Sequence, residues 1–223
     1  MTLNKILRSI VVIGVFLIPI AIPFIVSSIM FFPFITGKGF AFRIITEIIF
    51  ALWLILALRD KNYRPKFSWI LVALGAFLGV MLLADIFAEN PLKAFWSNFE
   101  RMEGYVLLLH LAAYFIVAGS ALINEKFWNW TNFFRANILA SVVMSCYGFL
   151  QLAGKITINQ GGVRLDGTFG NATYLAGYAL IMIFLSLFLM VKENNKWWKG
   201  AYGLAIILNL IILFNTATRG ALL

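Results

Sequence analysis

The sequence predicts an all-α, polytopic transmembrane bundle of about seven helices, oriented N-in and C-out. Three observations carry the prediction. Apolar residues make up 62% of the 223 and charged ones only 12%, with a mean hydropathy of +0.93. A water-soluble domain carries about twice that charged fraction, and no soluble fold of this length has enough interior to hide so much apolar side chain. The apolar residues also fall into runs of membrane-crossing length, and the cations fall into the connectors between them.

A hydrocarbon core of about 30 Å takes roughly 17–25 helical residues to cross. Such runs lie near 10–32, 40–58, 67–87, 105–123, 133–153, 174–191 and 200–217. Lys5 and Arg8 before the first run imitate a secretory signal. The run is longer than the roughly 7–15 residues of a signal core, however, and reads as a retained anchor helix. Pro19 and Pro23 are expected to kink it and Pro33 to help end it. Trp128, Trp130, Trp197 and Trp198 sit at run ends, where indole rings favour the headgroup layer. With the N-terminus inside, the cytoplasmic pieces hold eleven of the 18 Lys and Arg against three acids, and the outer pieces seven against six. The 59–66 connector contributes most to that bias, which sets orientation by the positive-inside rule. Residues 1–223 read as one transmembrane domain, and the apolar stretch rising after Arg219 reads as the start of a further helix in a longer protein.

The net charge of +9 does not indicate nucleic acid, because the cations sit in short connectors rather than on one patch. Cys146, the lone cysteine, reads as helix packing. His110, the one histidine, reads as a helix–helix hydrogen bond, and one histidine without HExxH or CxxC spacing makes no metal site. Arg43 and Glu47, at i and i+4, read as an internal salt bridge, and Asn209 as interhelical glue. No P-loop or dinucleotide fingerprint is present, and no cofactor is implied.

Chemistry concentrates in the expected outer connectors. The 88–104 loop carries Glu100, Arg101 and Glu103; the 154–173 loop carries Arg164 and Asp166; the last run ends Thr216-Ala217-Thr218-Arg219-Gly220. Arginine suits a diphosphate because its planar fork makes paired, charge-assisted hydrogen bonds and stays protonated. Arg101, Arg164 and Arg219 are therefore candidate ligands for a lipid-linked diphosphate. The plainer reading pairs each with a neighbouring acid or a lipid phosphate. Glu103 and Asp166 are candidate general bases for transfer to a hydroxyl, with salt-bridge roles as the alternative.

The stretches Phe95-Trp96-Ser97-Asn98-Phe99-Glu100-Arg101-Met102-Glu103-Gly104, Gly167-Thr168-Phe169-Gly170-Asn171-Ala172-Thr173-Tyr174-Leu175-Ala176 and Thr216-Ala217-Thr218-Arg219-Gly220-Ala221-Leu222-Leu223 resemble, in this order, the O-antigen ligase and polymerase family. The resemblance implies a glycosyltransferase of the bacterial inner membrane. Such an enzyme takes a glycan from undecaprenyl diphosphate at the outer face and passes it to a glycan or lipid A-core-like acceptor. It places Arg219 at the family's arginine-glycine motif and brings Asn171, in the glycine-asparagine helix start, among the substrate-binding candidates. It also implies a further outer loop, with another arginine and a histidine, beyond Leu223. A multi-pass transporter or lipid-linked glycan flippase is the competing class, although the charges lie mainly at the rim and no repeat is visible, against the transporter pattern. A noncatalytic scaffold is a third reading, in which the outer arginines are freely replaceable.

Overall fold

The computed structural model describes residues 3–122, 127–159, 162–218 and 220, and every regular element among them is helical. These are α1 (Leu3–Ala21), α2 (Thr36–Arg59), α3 (Trp69–Ile86), α4 (Pro91–Trp96), α5 (Tyr105–Ala121), α6 (Trp130–Leu152), α7 (Ala172–Lys192) and α8 (Lys196–Asn215), with 3₁₀ turns at Ile22–Phe24, Lys61–Tyr63 and Gly167–Phe169. Six helices are long and apolar enough to cross a membrane, and α5, at 17 residues, is the shorter seventh. The chain is a multi-pass α-helical membrane protein.

The first expected span is the one that differs most. Its helix stops at Ala21, and residues 25–35 are irregular. Pro19 lies inside α1 and Pro23 inside the 3₁₀ turn that follows; each removes an amide donor and crowds the preceding turn. The six-residue α4 is too short to show in hydropathy. Asn90 caps it by accepting the Lys93 amide at 3.1 Å, with Pro91 at its first position.

The chain divides into two compact units, one of residues 1–18 and 27–129, the other of residues 19–26 and 130–223. In the first, α5 packs on α2, α3 and α4. Gly14 lets α1 approach α2, since a Cβ there would fall 2.2 Å from Ile49 Cγ2, as small residues do where membrane helices meet. Tyr114 ties α5 to α1 by donating to the Val15 carbonyl at 2.9 Å. The α3 helix has no buried residue.

In the second unit, α8 packs on α6 and α7. Ala176, Ala179 and Ala205 are fully buried and permit close approach. Asn209 Nδ2 donates to Ser141 Oγ at 3.0 Å, bridging α8 to α6. At the end where α6 begins, the Arg135 guanidinium reaches Glu193 at 2.6 Å and Tyr202 at 2.8 Å, and lies 4.1 Å from the Trp198 ring. The backbone amide of Asn195, helped by Arg135 and the Asn194 amide, holds the Glu193 carboxyl below the usual range. Cys146 corrects its sequence reading: it is exposed on α6 rather than packed between helices. Its neighbours Met144 and Ser145 occupy the buried face instead.

Candidate functional site

In the first unit the chemistry gathers where α2 begins. The 97–104 loop folds back onto this end. Glu100 Oε2 accepts from the Phe31 amide at 3.0 Å and from the Thr36 hydroxyl at 3.4 Å. Arg43 Nη1 donates to the Met102 carbonyl at 3.0 Å. The loop is strained: Ser97, Glu100 and Met102 all have positive φ, at 61°, 67° and 49°. Non-glycine residues in that region cost about 1–3 kcal/mol each and persist where surrounding contacts impose them. Gly104 ends the loop against α4, with no room for a side chain.

Arg101 is half-buried, 3.3 Å from Glu103 Oε2 and 5.1 Å above the Phe32 ring. Glu103 is the more open partner, with 41% of its side chain accessible. Beside them is an arginine that the sequence reading had placed in a salt bridge. Arg43 is 6% exposed, lies 4.9 Å from the Phe40 ring, and keeps a buried Nη2 that has no hydrogen-bond partner among the described residues. The position a Cβ would take on Gly39 is 3.7 Å from that Nη2 and 3.9 Å from the Arg101 carbonyl oxygen, so the missing side chain leaves space between them.

The expected Arg43–Glu47 bridge is replaced by another pairing. Glu47 Oε1 contacts His110 Nε2 at 3.0 Å, and His110 Nδ1 contacts the Val106 carbonyl at 2.7 Å. The helix–helix hydrogen bond expected of His110 is therefore present, and it runs from α5 to Glu47 of α2. Because a carbonyl only accepts, Nδ1 carries a proton, and the Nε2–carboxylate contact needs a second, held by the ring or by the carboxyl. Glu47 stands midway along α2. The signal for Arg43 was in the sequence: a charge inside an apolar helix usually faces a partner or cavity, and Phe40 lies one turn before it.

In the second unit the 162–169 loop is stitched to the end of α8. Arg164 Nε donates to the Thr216 carbonyl at 2.9 Å and Nη2 to Thr218 Oγ1 at 3.2 Å; the Leu165 amide donates to the Asn215 carbonyl at 3.1 Å. Leu165 is fully buried among Met144, Leu175 and Ile212. Arg164, just before the 167–176 stretch quoted above, thus ties its loop to Thr216 and Thr218 of the last one. Arg219 lies outside the described residues. Asn171 caps α7, its side-chain oxygen accepting from the Thr173 amide at 2.8 Å.

Asp166 is fully buried and turned into the protein. Its Oδ1 accepts from Gln151 Nε2 at 2.7 Å and its Oδ2 from the Asn159 amide at 2.8 Å, while Gln151 Oε1 accepts from the Gly167 amide at 2.9 Å. A carboxylate held this way orders a loop, whereas the Glu103 carboxylate is open to an incoming hydroxyl. No protein-family model, curated protein or solved structure matches this chain.

Proposed function

We propose that the protein is a membrane glycosyltransferase that moves a glycan from undecaprenyl diphosphate to an acceptor hydroxyl at the outer face of a bacterial inner membrane, in the manner of O-antigen ligases and polymerases. The observation that carries the reading is the α2 rim: a buried guanidinium with an unused donor, a second arginine, and an accessible carboxylate 3.3 Å from that second arginine. In the proposed step the acceptor oxygen attacks the anomeric carbon and its proton passes to Glu103. The bond from that carbon to the diphosphate oxygen breaks, and the diphosphate leaves with the electron pair, its charge met by Arg43 and Arg101. In the second unit Arg164 and Arg219 remain candidate ligands for an anionic group in their own right, and Asn171 is assigned to placing α7.

The test is transfer from labelled undecaprenyl-diphosphate oligosaccharide by the full-length protein in proteoliposomes. Arg101→Gln is expected to lower the rate about a hundredfold, the usual cost of one lost oxyanion donor, with an unchanged melting temperature. Transfer at the wild-type rate contradicts the assignment. The Glu47–His110 pair favours a second reading, a proton-coupled transporter or flippase, since ionisable pairs midway along a membrane helix mark proton relays. Movement of labelled lipid between leaflets without a new glycosidic bond supports that reading instead.

A further inference from the structure

Along one flank of the first unit, a groove runs between α3 and α5. Two adjoining lobes of about 240 and 340 Å³ share Ile70 and Phe115 as walls. The deeper lobe is lined by Leu74, Phe77, Leu78, Leu108, Leu111 and Phe115 among others. The shallower one opens between Lys66, Ser68, Gly119 and Ser120. Both hydroxyls are turned to backbone, Ser68 Oγ accepting from the Ile70 amide and Ser120 Oγ donating to the Ile116 carbonyl. Beyond Lys66 the walls therefore offer mainly carbon.

Lys66 stands at the mouth, and the segment leading to it is strongly basic. Arg59, Lys61, Arg64 and Lys66 lie on the connector that leads into α3. Lys5 and Arg8 join them, because Arg59 Nε donates to Asn4 Oδ1 at 2.8 Å and Arg8 sits 5.9 Å from the Tyr63 ring. The one acid of that connector, Asp60, accepts from the Asn62 amide. Lys66 makes no ion pair among the described residues. Depth narrows the occupant further. From Ser68 to Leu78, and from Ser120 to Leu108, a rise of 1.5 Å per residue gives about 15–18 Å. That is half the roughly 30 Å hydrocarbon core, the depth of one leaflet. A transmembrane helix docking here needs a face along the whole span and brings no charge to neutralise the mouth.

The geometry points to a binding site for an anionic phospholipid, one acyl chain lying between α3 and α5 and the phosphate-bearing headgroup on Lys66. The site is separate from the α2 rim and does not depend on the transferase reading.

Native mass spectrometry of the full-length protein, titrated with dipalmitoyl phosphatidylglycerol or phosphatidylcholine, tests it. Phosphatidylglycerol is expected to bind at least fivefold more tightly, since each surface cation contributes about a factor of five toward anionic lipid. Lys66→Gln should bring it close to phosphatidylcholine. Gly119→Phe should weaken both lipids: a Cβ at Gly119 meets nothing within 4 Å, so the ring projects into the groove. Phosphatidylglycerol carrying a diazirine in its acyl chain should label α3 and α5 peptides of the unmodified protein, a readout that needs no variant. Equal affinity for the two lipids, indifference to Gly119→Phe or labelling confined to other helices overturns the proposal. So does a dimer that Gly119→Phe dissociates, which assigns the groove to a second copy of the chain.

Discussion

Glu103→Gln is expected to reduce transfer by about a hundredfold to ten-thousandfold, the range of a positioned general base, while Asp166→Asn leaves it within a few-fold of wild type. The two acids stood as equals in the sequence, and the structure separates their surroundings. Glu103 has an accessible carboxylate beside Arg101, whereas Asp166 is fully buried and committed through both oxygens to Gln151 and the Asn159 amide. Asparagine keeps one acceptor for that network and sets an amide N–H against the other donor. The expected cost is about 1–3 kcal/mol of stability without loss of chemistry. Asp166→Ala removes both acceptors, strands the Gln151 amide and the Asn159 N–H, and should cost more. Rate constants measured alongside melting temperatures separate the two effects. An inactive but fully folded Asp166→Asn protein refutes the assignment.

Gly104→Ala is expected to be the most damaging single methyl group at the rim. The Gly104 backbone, at φ −78° and ψ −157°, is open to other residues, so the obstacle is space. A Cβ would fall 2.4 Å from the Ala94 carbonyl oxygen, 2.5 Å from that of Phe95 and 2.7 Å from the Phe95 carbonyl carbon. These are backbone atoms of α4 and cannot swing aside. Overpacking of this kind costs about 1–3 kcal/mol, and sometimes more. The shift it forces moves Arg101 and Glu103 together, and a displacement of about 1 Å at reacting groups costs about a hundredfold in rate. Gly75→Ala, where a Cβ meets nothing within 4 Å, is the matched control and should leave both readouts unchanged. A stable and fully active Gly104→Ala protein contradicts this account of the loop.

Helix content and number were legible because crossing hydrocarbon demands long apolar runs, and a run of twenty such residues has few other fates. The helix ends were less legible. Pro19 and Pro23 announced a break, but hydropathy continued through the irregular 25–35 stretch and concealed where the helix stops. Cys146 was misplaced because an all-round apolar helix does not reveal which face is packed. At the site, Arg101, Arg164 and the two acids were readable as polar residues flanking apolar runs. Arg43 was missed because its carboxylate neighbour at i+4 offered a ready partner, and only packing shows Glu47 committed to His110. The burial of Asp166 was equally hidden, since nothing in the sequence shows that the Gln151 side chain and the Asn159 backbone N–H both turn toward it.

The central claim is that guanidinium groups at the α2 rim grip a lipid diphosphate. Equilibrium binding of undecaprenyl diphosphate to the full-length protein, compared between wild type and the Arg101→Gln and Arg43→Gln variants, tests it most directly. The account predicts at least about a tenfold loss of affinity for each variant, as expected when a charge-assisted hydrogen bond of roughly 1.5–3 kcal/mol is removed. Equal affinity in correctly folded variants contradicts it.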